Sequence, residues 1–219
     1  MSDIFREIDE DMRRERMGKL WQKYGSWVVA AAILIVVAVA GWRGYEYWRN
    51  RQAQAAGAQF EKALELAREN KDAESEKAFA AIAADAPGGY RILARLRGAS
   101  ETAKLDPDKG VEAWKAIAAD AGVGAVIQDL ARLRAGYIQI DKVAYAELSK
   151  DLESLTGAGN AWRNEARELL GVSALKAGDS AEAGKWLDQI VSDRDAPAAL
   201  RKRAEDYLGL VAGGAVRTQ

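Results

Sequence analysis

Nineteen consecutive residues, Tyr24 to Trp42, carry no charge: YGSWVVAAAILIVVAVAGW. As an α-helix this run spans about 28 Å, close to the ~30 Å of a hydrocarbon core. Val, Ala, Ile and Leu occupy every face, so there is no polar stripe to turn toward water. Trp21, Tyr24 and Trp27 stand at one end; Trp42, Tyr45, Tyr47 and Trp48 stand at the other. Aromatic rings with one polar handle belong at a membrane–water interface. Lys19 and Lys23 before the run, and Arg43, Arg49 and Arg51 after it, have stems long enough to snorkel. A core helix, a cleaved export signal and a retained membrane anchor all begin from such a run. A core helix would not need interfacial aromatics at both ends. The signal reading draws on Ala38-Val39-Ala40 before Gly41, which has the small-residue form of a cleavage site. Against it, six acids (Asp3, Glu7, Asp9, Glu10, Asp11, Glu15) precede the run, where a signal is short and basic. The run also exceeds the usual signal core of about 7–15 residues. The expectation is a retained anchor.

The preceding tail, SDIFREIDEDMRRERMGKLWQKYG, reads as a charged helix. Ser2 can cap it. Asp9–Arg13, Glu10–Arg14 and Glu15–Lys19 are acid-before-base pairs at i, i+4, each contributing a few tenths of a kcal/mol. Its acids and bases cancel, so it is not a polybasic lipid-binding patch. It either continues the anchor as a solvated helix or docks a partner. Six bases lie within twenty positions before the run (Arg6, Arg13, Arg14, Arg16, Lys19, Lys23), against four after it (Arg43, Arg49, Arg51, Lys62). The positive-inside rule then puts the N-terminus in the cytoplasm. The expected organisation is a cytoplasmic charged tail over 1–23, an anchor with aromatic belts over 24–48, a helical domain over 49–211 across the membrane, and a disordered tail over 212–219.

The rest of the chain repeats itself. AFAAIAADAPGGYRILARLRG (Ala78–Gly98) parallels AWKAIAADAGVGAVIQDLARLRAG (Ala113–Gly136). In a frame extended both ways, small residues recur at Ala63, Gly98, Gly136, Gly171 and Gly209, spaced 35, 38, 35 and 38. Sixteen residues after each of the first four stand Phe79, Trp114, Leu152 and Leu187; three further on stand Ile82, Ile117, Leu155 and Ile190. A period near ~34 with two helices per period is the tetratricopeptide signature. The small residue lets two helices approach, and the bulky pair fills the gap between hairpins. DAPGG (Asp85–Gly89) and DAP (Asp195–Pro197) read as turns that close a repeat. Gly88-Gly89, GAGN (Gly157–Asn160) and Gly213-Gly214 read as helix stops. The expected fold is all-α: a single N-terminal transmembrane helix, then a tetratricopeptide-like right-handed solenoid of about four helix pairs, closed by a capping helix from Ala198 to about Val211. An ordinary helical bundle is the alternative.

Composition excludes much chemistry. There are 32 basic and 33 acidic residues, net −1, with no basic excess of the kind nucleic acid attracts. With no His and no Cys, the commonest general base and the commonest transition-metal ligands are missing. No phosphate-cradling loop is present. No enzyme, metal, cofactor or small-molecule substrate is expected. Stacked hairpins curve around a groove that suits a peptide or partner helix. Arg95, Arg132 and Arg167 recur on successive first helices and could meet acidic groups or a C-terminal carboxylate there. They could equally pair with acids of their own chain. The repeat-packing residues are expected to be Gly98, Trp114, Gly136, Leu152, Gly171 and Leu187.

The order of tail, anchor and hairpins resembles the ancillary SecYEG translocon subunit family (YfgM type), whose domain is shared with a cell-division coordinator. The residues carrying the likeness are FREIDEDMRRERMGKLWQKYG, GYRILARLRGA, LARLRAGYIQ and RNEARELLGVSALKAGDSAEAGKWLDQI. The resemblance implies a bacterial inner-membrane protein with periplasmic repeats. Its partners would be membrane lipid, translocon subunits, periplasmic chaperones and newly exported clients. An envelope or cell-division scaffold recruiting wall-synthesis proteins is the alternative, and an assembly factor for a membrane complex is a third reading.

Overall fold

The computed structural model describes residues 2–213, and side chains from residue 17 to 213 except those of residues 18–20 and 28. The expected tail contacts (Ser2, Asp9–Arg13, Glu10–Arg14, Glu15–Lys19) and the last six residues of the expected disordered tail lie outside the described residues. Nine α-helices are described: α1 Ser2–Arg68, α2 Asp72–Asp85, α3 Gly88–Leu105, α4 Pro107–Ala118, α5 Ala125–Gln139, α6 Tyr145–Leu152, α7 Arg163–Lys176, α8 Ser180–Ser192 and α9 Ala198–Ala212. Short 3₁₀ turns follow α4 (Ala121–Val123) and α6 (Glu153–Leu155). No strand occurs among the described residues. The chain divides into two compact units, Met1–Gln54 and Ala55–Gln219.

In the first unit, α1 runs without a break where a separate tail helix and anchor were expected. Ile33, Leu34, Ile35, Val36 and Val37 are each more than half exposed. A core helix would bury them, so that reading is excluded. By length and composition the helix is able to cross a membrane.

The second unit is built of hairpins. The end of α1 pairs with α2, α3 with α4, α5 with α6, and α7 with α8; α9 packs on α7 and α8. Its turns follow from local chemistry. Asn70 (φ 59°) and Gly178 (φ 78°) sit in the left-handed region just past the ends of α1 and α7. There Lys71 N donates to Leu66 O and Asp179 N donates to Ala174 O, closing two Schellman turns. Asp106 caps α4 through Asp108 N and Lys109 N, with Pro107 as first helical residue. Asp179 caps α8 through Glu182 N. Pro87 and Pro197 precede α3 and α9 with extended ψ. Gly88-Gly89 therefore begin α3 instead of stopping α2, because Ala86 and Pro87 have already left helical geometry.

There is no single core. Four apolar clusters follow one another along the chain, and most join a hairpin to the next first helix. The first holds Ala56, Ala63, Phe79, Ile82 and Ala94. The second centres on Trp114 and Ile117, with Ala131 and Ala135 of α5. The third has Leu148, Leu152 and Leu155 against Leu169 and Leu170. The last has Leu187 and Ile190 against Leu200 and Ala204. Thus all eight bulky residues of the sequence frame are buried, each contributing about 1.5–3 kcal/mol by leaving water. This serial arrangement is what a hairpin solenoid requires.

The small positions behave less uniformly. A Cβ on Gly136 would stand 2.9 Å from Leu169 Cδ2 and 3.0 Å from Leu152 Cδ1; one on Gly171 would stand 3.0 Å from Leu187. Both are needed. Gly98 would meet only Phe79 Cβ at 3.6 Å, and Gly209 would meet nothing within 4 Å. Those two do not serve close approach: α9 is last and no second helix follows it. The tightest approach is elsewhere, at Gly110 of α4, where an added Cβ would lie 2.5 Å from Ala103 Cα of α3.

Candidate functional site

The first helices of three successive hairpin positions, α5, α7 and α9, line a depression of about 330 Å³. Its walls are Tyr137 and Ile140 of α5, Glu168, Leu169 and Val172 of α7, and Arg203 and Tyr207 of α9. The repeat frame explains the set. Tyr137 and Val172 directly follow Gly136 and Gly171, so the backbone that turns each glycine toward its hairpin partner turns the next side chain to the groove. Arg203 clamps Glu168 with two hydrogen bonds, Nε to Oε1 at 2.7 Å and NH2 to Oε2 at 2.9 Å. That pairing holds the Arg203 guanidinium above its usual pKa. Burial, then the Glu168 charge, raises the Tyr137 phenol. The groove thus presents apolar and aromatic walls around one fixed ion pair. Such a surface suits a peptide or helix with alternating apolar and polar side chains.

A second cavity, of about 480 Å³, lies among α4, α5 and α6. Lys115, Arg132, Lys150, Asp151 and Ser154 line it together with Ala118, Ala119 and Ala135. It shares no residue with the groove.

The three arginines picked out by sequence do not share one surface. Arg95 pairs with Asp120, just past the end of α4. Arg132 pairs with Asp129 at 2.6 Å and lines the second cavity. Arg167 is buried, donating to Asn164 Oδ1 at 3.0 Å and Asp193 Oδ2 at 3.2 Å. Asp193 is the centre of a clamp before α9: Arg163 Nε donates to it at 2.6 Å, and Arg201 donates to its backbone oxygen at 3.1 Å. The Arg163 hydrogen bond, the Asp195 and Asn164 donors and the Arg163 charge hold its carboxyl far below the ordinary value. Arg95 and the Gly122 N–H lower Asp120 in the same direction. These acids stand three residues beyond Ile117 and Ile190; the third hairpin has Ala158 there, so Arg132 turns to Asp129 instead. The groove residues Tyr137, Val172 and Tyr207 were not singled out from the sequence. The signal was the position one beyond the recurring glycine.

Trp21, Tyr24, Trp27, Trp42, Tyr45 and Trp48 are each half or more exposed on α1. No packing role in the fold accounts for them.

Residues 19–198 match the tetratricopeptide repeat-like domain family. The match covers most of the chain, and the chain belongs to that family. Its class is the helical-hairpin scaffold, which works by binding proteins. Neither the curated proteins nor the solved structures gave a match.

Proposed function

We propose that the protein is a membrane-anchored, non-enzymatic scaffold that binds a partner protein in the groove of α5, α7 and α9. The observation that carries this reading is the groove itself, built from first helices in a tetratricopeptide-like domain. The exposed apolar stretch of α1 supports an anchor over residues 24–48. The basic count supports residues 1–23 in the cytoplasm and residues 49–211 in the periplasm. The likeness to the ancillary translocon family supplies the partner class: Sec translocon subunits, periplasmic chaperones and newly exported clients. Arg95, Arg132 and Arg167 act in this reading by holding the hairpins to the turns that follow them.

The test is purification of the full-length protein from detergent-solubilised membranes after crosslinking. Translocon subunits are expected to copurify, and Tyr137→Ala combined with Val172→Glu is expected to abolish this. No association with the translocon, or association unchanged by the groove substitutions, would refute the reading.

A further inference from the structure

The cavity among α4, α5 and α6 differs from the groove in its makeup. Its lining includes two second helices, and its rim holds three cations against one acid: Lys115, Arg132 and Lys150 face Asp151. Elsewhere lysines are matched closely, as Lys104 with Glu101 at 2.6 Å and Lys142 with Asp108 at 2.5 Å. Here the matching is loose. Arg132 is committed to Asp129. Lys115 reaches Asp151 only at 3.5 Å, and both side chains are about half exposed. Lys150 makes no ion pair among the described residues. The floor is apolar and shallow, since Ala118, Ala119 and Ala135 leave space that longer side chains would fill.

The hollow has a sequence origin. Twelve residues after the recurring small position stand Ser75, Gly110 and Ala183, but in the third hairpin Leu148 stands there. The isobutyl group wedges α6 from α5, and α6 is only eight residues long.

We propose that this cavity binds a carboxylate of a partner peptide, either the chain terminus or an Asp or Glu side chain, with the adjoining aliphatic group on the alanine floor. The proposal rests on the scaffold reading, and it adds a second, charge-selective contact outside the groove. An entering carboxylate takes Asp151's place at Lys115 and gains Lys150 as a second charge-assisted donor. The Ser154 hydroxyl supplies a neutral donor at the same rim. Asp151 therefore competes with the ligand and sets its affinity.

Full-length protein in detergent micelles can be titrated against a fluorescent peptide array in three forms: free C-terminal carboxylate after Ala, Val or Leu; the same peptides amidated; and amidated peptides with an internal Glu. Binding is expected for one or both acid-bearing forms and not for the amidated, acid-free form; which form binds identifies the source of the carboxylate. Lys115→Glu with Lys150→Glu is expected to weaken binding about tenfold, the loss of one charge-assisted bond. Asp151→Asn is expected to strengthen it about threefold by removing the competitor. These side chains lie at the rim, so an unchanged far-UV circular dichroism spectrum is expected for each variant. Equal binding of the amidated form, indifference to the lysine reversals, or no binding of any peptide overturns the proposal. If Tyr137→Ala alone abolishes binding that the lysine reversals leave intact, the peptide sits in the groove. That outcome overturns the cavity proposal while the scaffold reading stands.

Discussion

Two glycines of the same repeat show how much one methyl group decides. On Gly98 it would make ordinary contact with Phe79, and on Gly110 it would run into the backbone of Ala103. Gly98→Ala should therefore raise stability by up to ~1 kcal/mol through helix propensity. Gly110→Ala should lower it by about 2–3 kcal/mol, because α3 and α4 must separate. Urea unfolding of the two variants checks both signs, and a neutral Gly110→Ala would show that the hairpin is looser than described. The sequence frame found Gly98 because it occupies the repeated position, yet the close approach had moved to the small residue twelve further on. Ser75, Gly110 and Ala183 carried that signal. Charged side chains were legible as positions and not as partners: nothing local ties Arg95 to Asp120 or Arg167 to Asp193. Those pairings make a prediction of their own. Asp193 and Asp120 have folded pKa values below the unfolded one, so their contribution is complete above about pH 4 and is lost as pH falls through the folded values. The urea midpoint should decline in that acid range. Asp193→Asn should be less stable than the parent at pH 7 and should show a flatter acid slope; an unchanged slope would remove Asp193 from the account.

At the scale of helices, most of the architecture was legible, because helix and hairpin follow from a packing period that any sequence of this kind must display. Phe79, Trp114, Leu152 and Leu187 could be placed in the core before any coordinate was known. The third hairpin was harder, since its second helix α6 is short and its neighbours hold it by polar contacts. Asn160 Nδ2 donates to Asp129 Oδ2 at 2.8 Å, and Trp162 Nε1 donates to Val126 O at 2.9 Å, tying the loop after α6 back to α5. Tyr145, which opens α6, accepts from Trp186 Nε1 at 2.9 Å and donates to Glu182 Oε1 at 3.0 Å. This relay joins α6 to α8 across a hairpin boundary. Trp186 is buried, so Tyr145→Phe leaves its indole N–H without a partner and should cost about 1–2 kcal/mol. Because contacts in a solenoid are between neighbours, that loss should loosen the third and fourth hairpins more than the first. Hydrogen exchange should be faster in α6 and α8 than in α2 and α3; a uniform increase would mean that the second unit unfolds as one cooperative block.

For the molecule as a whole, the unresolved contest in the sequence was between an anchor and a cleaved signal, and the two differ in what the apolar stretch does after export. A signal is removed; an anchor holds the mature chain in lipid through every later step. The exposed Ile33–Val37 segment leaves a core role out of consideration, and aromatic rings at both ends fit a helix that remains. If the anchor is retained, full-length protein should resist alkaline carbonate extraction and start at the encoded N-terminus. Val36→Lys with Val37→Lys places two ammonium groups at the centre of the apolar run, at about 2.5–3.5 kcal/mol each on insertion scales. That variant should appear in the carbonate-soluble fraction. The hairpins contribute none of this apolar run, so their far-UV circular dichroism signal and urea midpoint should match the parent's. A parent chain released by carbonate, or a mature chain beginning at Gly41, would make the apolar run a transient export device and leave a scaffold free of the membrane.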